Sequence, residues 1–185
     1  GPPVARLREV VRGGAVGRPA MVAVREHRFP FLVKVGDWNR FNRNTGGTLV
    51  EKCCHFFDLM NQITGDEPVR VLASGGQDVN HLDESYDGEV PDILDNAFVI
   101  VDYAGGARAL LDLCMFAEAS EHQEELSVVG PLGKVEAFLP SCEVRVGTRA
   151  DGRPGVRSEV VHDDRVAYEG FHHGSSYLEH LDLIA

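Results

Sequence analysis

Ala97-Phe98-Val99-Ile100-Val101-Asp102-Tyr103-Ala104-Gly105-Gly106-Ala107-Arg108-Ala109-Leu110-Leu111-Asp112-Leu113-Cys114-Met115-Phe116 sets two apolar runs about a Gly-Gly turn. The runs Ala97 to Tyr103 and Ala109 to Phe116 read as strands joined through Ala104–Ala107, a hairpin signal. Every residue from Ala97 to Val101 is apolar, which predicts cover on both sides of the sheet at that strand. Outward from this hairpin the same period of two recurs. Leu126 to Val129 and Lys134 to Phe138 flank the turn Gly130-Pro131-Leu132-Gly133. Glu143 to Val146 and Val156 to His162 flank a loop rich in Gly, Pro and Asp. Val69 to Val79 reads as a strand, and so does Met21 to Phe29, where Val22 and Val24 alternate with polar neighbours. Together they predict one mainly antiparallel sheet of about seven strands.

Three segments follow helical spacing instead. Val4 to Arg12 puts Val4, Leu7 and Val11 on one face and stops at Gly13-Gly14. Gly46-Gly47 breaks the chain before Thr48 to Ile63, where Thr48 is a reasonable N-cap and Glu51 stands in capping-box position. There Leu49, Cys53, Phe56, Met60 and Ile63 form the core-facing stripe, and Glu51, His55, Asp58 and Gln62 form a polar stripe nearly opposite. A last helix starts near Ser175 and runs through Leu181 and Ile184. It reaches Ala185 without a capping Gly or Pro, which reads as truncation or trailing disorder. Phe29 to Asn44 reads as a loop or a partly covered extension. The class is α+β, with helices packed on the sheet.

With 185 residues, one domain is expected, with a folded surface near ~8,800 Å². Hydrophobic residues at 43% and charged residues at 25% are ordinary globular usage, so a disordered tail or coiled coil is excluded. A net charge of −11 argues against nucleic acid and anionic membrane as partners. No apolar run is long enough to span a bilayer, and the N-terminus does not read as a signal peptide. Cys53, Cys54, Cys114 and Cys142 form no CxxC pair, so reduced thiols in a cytoplasmic protein are expected.

Glu51 and His55 carry the leading chemistry. Residues four apart on a helix bring a carboxylate within reach of an imidazole, fixing its tautomer and freeing the other nitrogen to accept a proton. The same spacing equally suits a solvated surface pair. Glu51, Cys54, His55 and Asp58 are also metal-ligand types, yet Cys53 and Cys54 point about 100° apart and cannot both join His55. No metal is expected. The acidic run Asp83 to Glu89 begins like a calcium loop but has Leu94 at the twelfth position, so it reads as a solvated loop. Trp38-Asn39-Arg40-Phe41-Asn42-Arg43-Asn44 mixes aromatic and hydrogen-bonding groups suited to a polar ligand or an interface. Lys34 lies close by, and His172-His173 precedes the last helix. No G-x-G-x-x-G turn follows a strand, and no P-loop or G-x-S-x-G elbow occurs.

Leu7 to Gly17, Gly46-Gly47-Thr48-Leu49-Val50-Glu51-Lys52-Cys53-Cys54-His55-Phe56-Phe57-Asp58, Leu126 to Val135, and His173 to Ile184 together resemble the second domain of the Gfo/Idh/MocA oxidoreductases. The resemblance implies an open sheet with helices on one face, binding substrate and forming a homo-oligomer through the sheet. It implies a single domain over residues 1–185, lacking the N-terminal Rossmann domain that binds NAD or NADP in such enzymes. It implies oxidation of a sugar, inositol or related alcohol, or the reverse reduction. His55 takes the place of the general base and Glu51 that of its carboxylate partner, where Asp is more usual. Lys34, Trp38, Asn42 and His173 are candidate contacts to a small polar substrate. No dinucleotide is expected to bind this chain by itself. The alternatives are a non-catalytic dimerisation or ligand-binding module and a metal-dependent lyase or isomerase.

Overall fold

The computed structural model describes residues 1–168, 170 and 174–184. Helix α1 covers Pro2–Arg12 and leads into strand β1, Met21–His27. A 3-10 segment over Val35–Arg40 and three short helical pieces follow: α2 (Asn42–Thr45), α3 (Thr48–Glu51) and α4 (Cys54–Thr64). Seven further strands come next: β2 (Pro68–Gly76), β3 (Asn96–Tyr103), β4 (Arg108–Cys114), β5 (Glu124–Val129), β6 (Gly133–Leu139), β7 (Glu143–Thr148) and β8 (Arg157–Val160). Helix α5 (Ser175–Ile184) is the last described element.

The described strands build one sheet of eight strands, one more than expected, in the order β2-β3-β4-β1-β5-β6-β7-β8. Neighbours are antiparallel except β1 and β4, which run parallel with Met21 opposite Arg108. The chain from β1 to β4 passes through the helices and a full β2-β3-β4 meander before returning beside β1. That detour sets the helical segment over the ends of the central strands.

One face of the sheet carries the core. Val22 and Val24 of β1, Val99 and Val101 of β3, Leu111 and Leu113 of β4, Leu126 and Val128 of β5, and Val135 and Ala137 of β6 all point into it. Helix α4 adds Phe56, Met60 and Ile63, and α1 adds Leu7 over β6. The other face is open. In β3, Phe98 and Ile100 are 60% and 42% exposed while Ala97, Val99 and Val101 are buried. The expected double cover is not formed among the described residues, whose helices pack on one face. The total accessible surface of 10708 Å² exceeds the roughly 8,800 Å² of a compact chain of this size, in keeping with an uncovered face.

The expected single helix over 48–63 is two helices. Its hydrogen bonding breaks at Lys52-Cys53, whose φ values of −100° and −111° drift off the helical path. Thr48 is not the N-cap. Gly47 holds that place at φ 83°, and the Thr48 hydroxyl donates to the Leu94 carbonyl instead. A Cβ at Gly47 would lie 2.1 Å from Asn42 Oδ1, so both the left-handed backbone and the close approach call for glycine.

Residues 77–95 form a long loop tied at both ends. Asp95 accepts backbone N–H bonds from Asp78, Val79 and Asn80 at 2.7 to 3.1 Å. Burial pushes its carboxyl up, but these donors outweigh that and hold it below the usual range. Within the loop, Glu84 bonds Arg40 Nε at 2.9 Å, His81 Nδ1 at 2.7 Å and Tyr86 Oη at 2.7 Å. Arg40 is buried, so this carboxylate neutralises it and fastens the loop to the segment before α2.

Candidate functional site

The break between α3 and α4 separates Glu51 from His55. Glu51 takes Lys34: Nζ donates to Oε1 at 2.5 Å, and the same ammonium lies 5.1 Å from the Trp38 ring centre. Lys34, Trp38 and Glu51 are thus brought together, with the second Glu51 oxygen buried and unpartnered among the described residues. The expected Glu51–His55 pair is not formed by the carboxylate. That pair calls for an unbroken helix, and an irregular turn at Lys52-Cys53 stands in its place.

His55 is exposed, with its ring 4.0 Å from that of Phe56. It lines a cleft of about 490 Å³ between α1, α4, α5 and the ends of β1, β5 and β6. Arg28, Lys52, Asp58, Gln62 and Glu124 share that wall. Asn42 is committed elsewhere: its N–H donates to Asp92 Oδ1 at 2.7 Å and its amide to the Asp92 carbonyl at 2.6 Å. His173 and His172 lie outside the described residues.

Beneath the cleft sits a charged group that the sequence reading passed over. Glu26 follows Val22 and Val24 on the inward face of β1 and is wholly buried. Its Oε1 lies 2.9 Å from Lys52 Nζ and 3.2 Å from Arg28 Nη1, while Oε2 has no partner among the described residues. A carboxylate two residues beyond Val24, at the next inward position, is the signal that points to it. Its field reaches its neighbours. Burial first, then Glu26, pushes the Cys53 thiol up to about 12, and the same two causes raise the Glu124 carboxyl.

No group of three or more His, Cys, Asp or Glu among the described residues is placed to hold a metal ion. A dinucleotide cradle does not fit these residues either. The parallel pair β1 and β4 is not followed by a glycine-rich turn into a helix N-terminus, and Gly13 to Gly17 leave a helix to enter a strand.

A family profile described as "Oxidoreductase family, C-terminal alpha/beta domain" matches residues 8–185. The chain belongs to this family. Its fold is that of the Gfo/Idh/MocA C-terminal domain, and solved structures share it. An oxidoreductase from Agrobacterium radiobacter in complex with NAD+, L-tartaric acid and magnesium superposes with a TM-score of 0.67 at 16% identity, over 90% of this chain and 44% of that one. An inositol dehydrogenase homologue from Azotobacter vinelandii complexed with NAD+ gives 0.64 at 18% identity, over 86% and 42%. A super-repressor mutant of Gal80p from Saccharomyces cerevisiae gives 0.68 at 12% identity, over 89% and 44%. The chain thus spans less than half the length of these proteins. No curated protein matches it. Among its described residues no helix is long and apolar enough to cross a membrane.

Proposed function

We propose that this domain is the substrate-binding and catalytic half of an NAD(P)-dependent oxidoreductase acting on a sugar, inositol or related alcohol. The observation that carries the reading is the imidazole of His55 at the rim of a cleft with mixed hydrogen-bond donors and acceptors. A polyhydroxyl compound needs such a wall, because each hydroxyl both donates and accepts. His55 accepts the hydroxyl proton when the alcohol is oxidised and returns it in the reverse direction. The nicotinamide, held outside the described residues, supplies the hydride chemistry. Glu51 acts through Lys34, holding that cation beside Trp38 as a second polar contact region.

The open sheet face is the proposed contact with a second copy. Phe98, Ile100 and Leu72 stand exposed there beside the Arg25, Asp112 and Glu125 ion pairs. An apolar patch rimmed by charges suits a self-complementary interface. A second reading, a binding module without chemistry, draws on the same fold serving a repressor in Gal80p.

The test assays the intact protein for NAD+ and NADP+ reduction with myo-inositol, D-glucose and related polyols. Turnover with one of them supports the enzyme reading, and none across the panel favours the binding module. Calorimetry of the domain alone with either dinucleotide is expected to be silent. A micromolar signal would contradict placing the nucleotide site elsewhere.

A further inference from the structure

We infer that Lys52 contacts the substrate in the cleft and that the buried Glu26 is its positioning residue, an inference that rests on the cleft being the substrate site. Glu26 stands where the pattern of β1 calls for a third apolar side chain after Val22 and Val24. A buried ion pair is a poor way to stabilise a fold, since a well-packed apolar residue there does at least as well. The pair does, however, fix a cation. Lys52 sits at the break between α3 and α4, and its side chain crosses to β1 to meet Glu26 at 2.9 Å. An ammonium has three donors, and Glu26 is the one carboxylate that Lys52 pairs with among the described residues. Lys52 also lines the cleft beside His55, leaving donors for a ligand oxygen. Arg28 shares the same Glu26 oxygen and the same wall, so two cations are held over one buried charge.

The charges around the cleft also bear on the ligand. Arg8, Arg28 and Lys52 face Asp58, Glu124 and Glu179 on its wall, with Glu26 beneath. Three cations meet three carboxylates on the wall and a fourth beneath, so no cation is in excess and Lys52 is suited to a neutral hydroxyl oxygen rather than to an anionic group.

The experiment is calorimetric titration of the intact protein with myo-inositol, D-glucose and D-gluconate, alongside thermal melts. Three proteins are compared: wild type, Lys52→Met, and the double variant Glu26→Gln/Lys52→Met. Loss of a charged hydrogen bond is expected to weaken polyol binding about 10- to 100-fold in Lys52→Met. That variant also melts lower, because Glu26 loses a partner. The double variant is expected to regain the melting temperature and not the affinity, and gluconate to bind more weakly than glucose. Affinity in Lys52→Met within about two-fold of wild type would overturn the inference. So would affinity that returns together with stability in the double variant, or no polyol binding by the wild type. A His55→Ala protein that kept full turnover would overturn the proposed reaction instead, leaving Lys52-dependent binding intact.

Discussion

Replacing Glu84 by Gln removes the carboxylate that holds three loop groups at once. Burial raises the Glu84 carboxyl, but hydrogen bonds from His81, Tyr86 and Arg40 outweigh it and bring the group down from 4.5 to about 2. Taken in full, that shift corresponds to about 3 kcal/mol. The side chain is 35% exposed, so screening by solvent reduces the contribution to about 1–2 kcal/mol. The sign follows from linkage. The folded carboxyl is depressed, so its stabilisation is complete above the unfolded value near 4.5 and is lost as pH falls from there towards about 2. Urea unfolding of wild type and Glu84→Gln at a series of pH values reads this directly. The variant is expected to be less stable by about 1–2 kcal/mol at pH 7, with the gap narrowing below about pH 4.5. A gap of the same size at pH 3 and pH 7, or no gap at neutral pH, would refute the charge-based account of this clamp.

Two further outcomes follow from burial. Leu111, at 0% exposure on β4, is at the centre of the core, so Leu111→Ala should cost about 2–5 kcal/mol, read from denaturant midpoints. Cys53 is buried with its thiol pushed up to about 12, whereas Cys54 is exposed. Iodoacetamide at pH 8 should therefore label Cys54 in the native protein and spare Cys53, as peptide mass spectrometry would report. Equal labelling of the two would contradict the packing of α4.

The strands were legible in the sequence because a half-buried sheet imposes alternation on each strand separately. Val22 and Val24, or Val99 and Val101, report their own face without reference to any partner. The insertion of β1 between β4 and β5 was not legible, since pairing between distant segments leaves no mark within either. The helix break at Lys52-Cys53 was hidden for a different reason. The apolar stripe Cys53, Phe56, Met60 continues through it, and periodicity does not register a change in backbone hydrogen bonding. The break matters at the site: the Glu51–His55 pairing needs an unbroken helix, and Glu51 meets Lys34 instead. Glu26 was readable from its register in β1. The Glu84 clamp was not, because Arg40 comes from a distant segment joined to this loop only by the fold.

The central claim is that His55 handles the substrate proton at the mouth of the cleft. It is tested most directly by kcat of the intact protein with and without His55→Ala, using the polyol and dinucleotide that give turnover. General acid–base assistance predicts a fall of about 10²–10⁴-fold in the variant with its melting temperature unchanged. A fall of less than about 100-fold, in a folded protein that still binds the polyol, would contradict it.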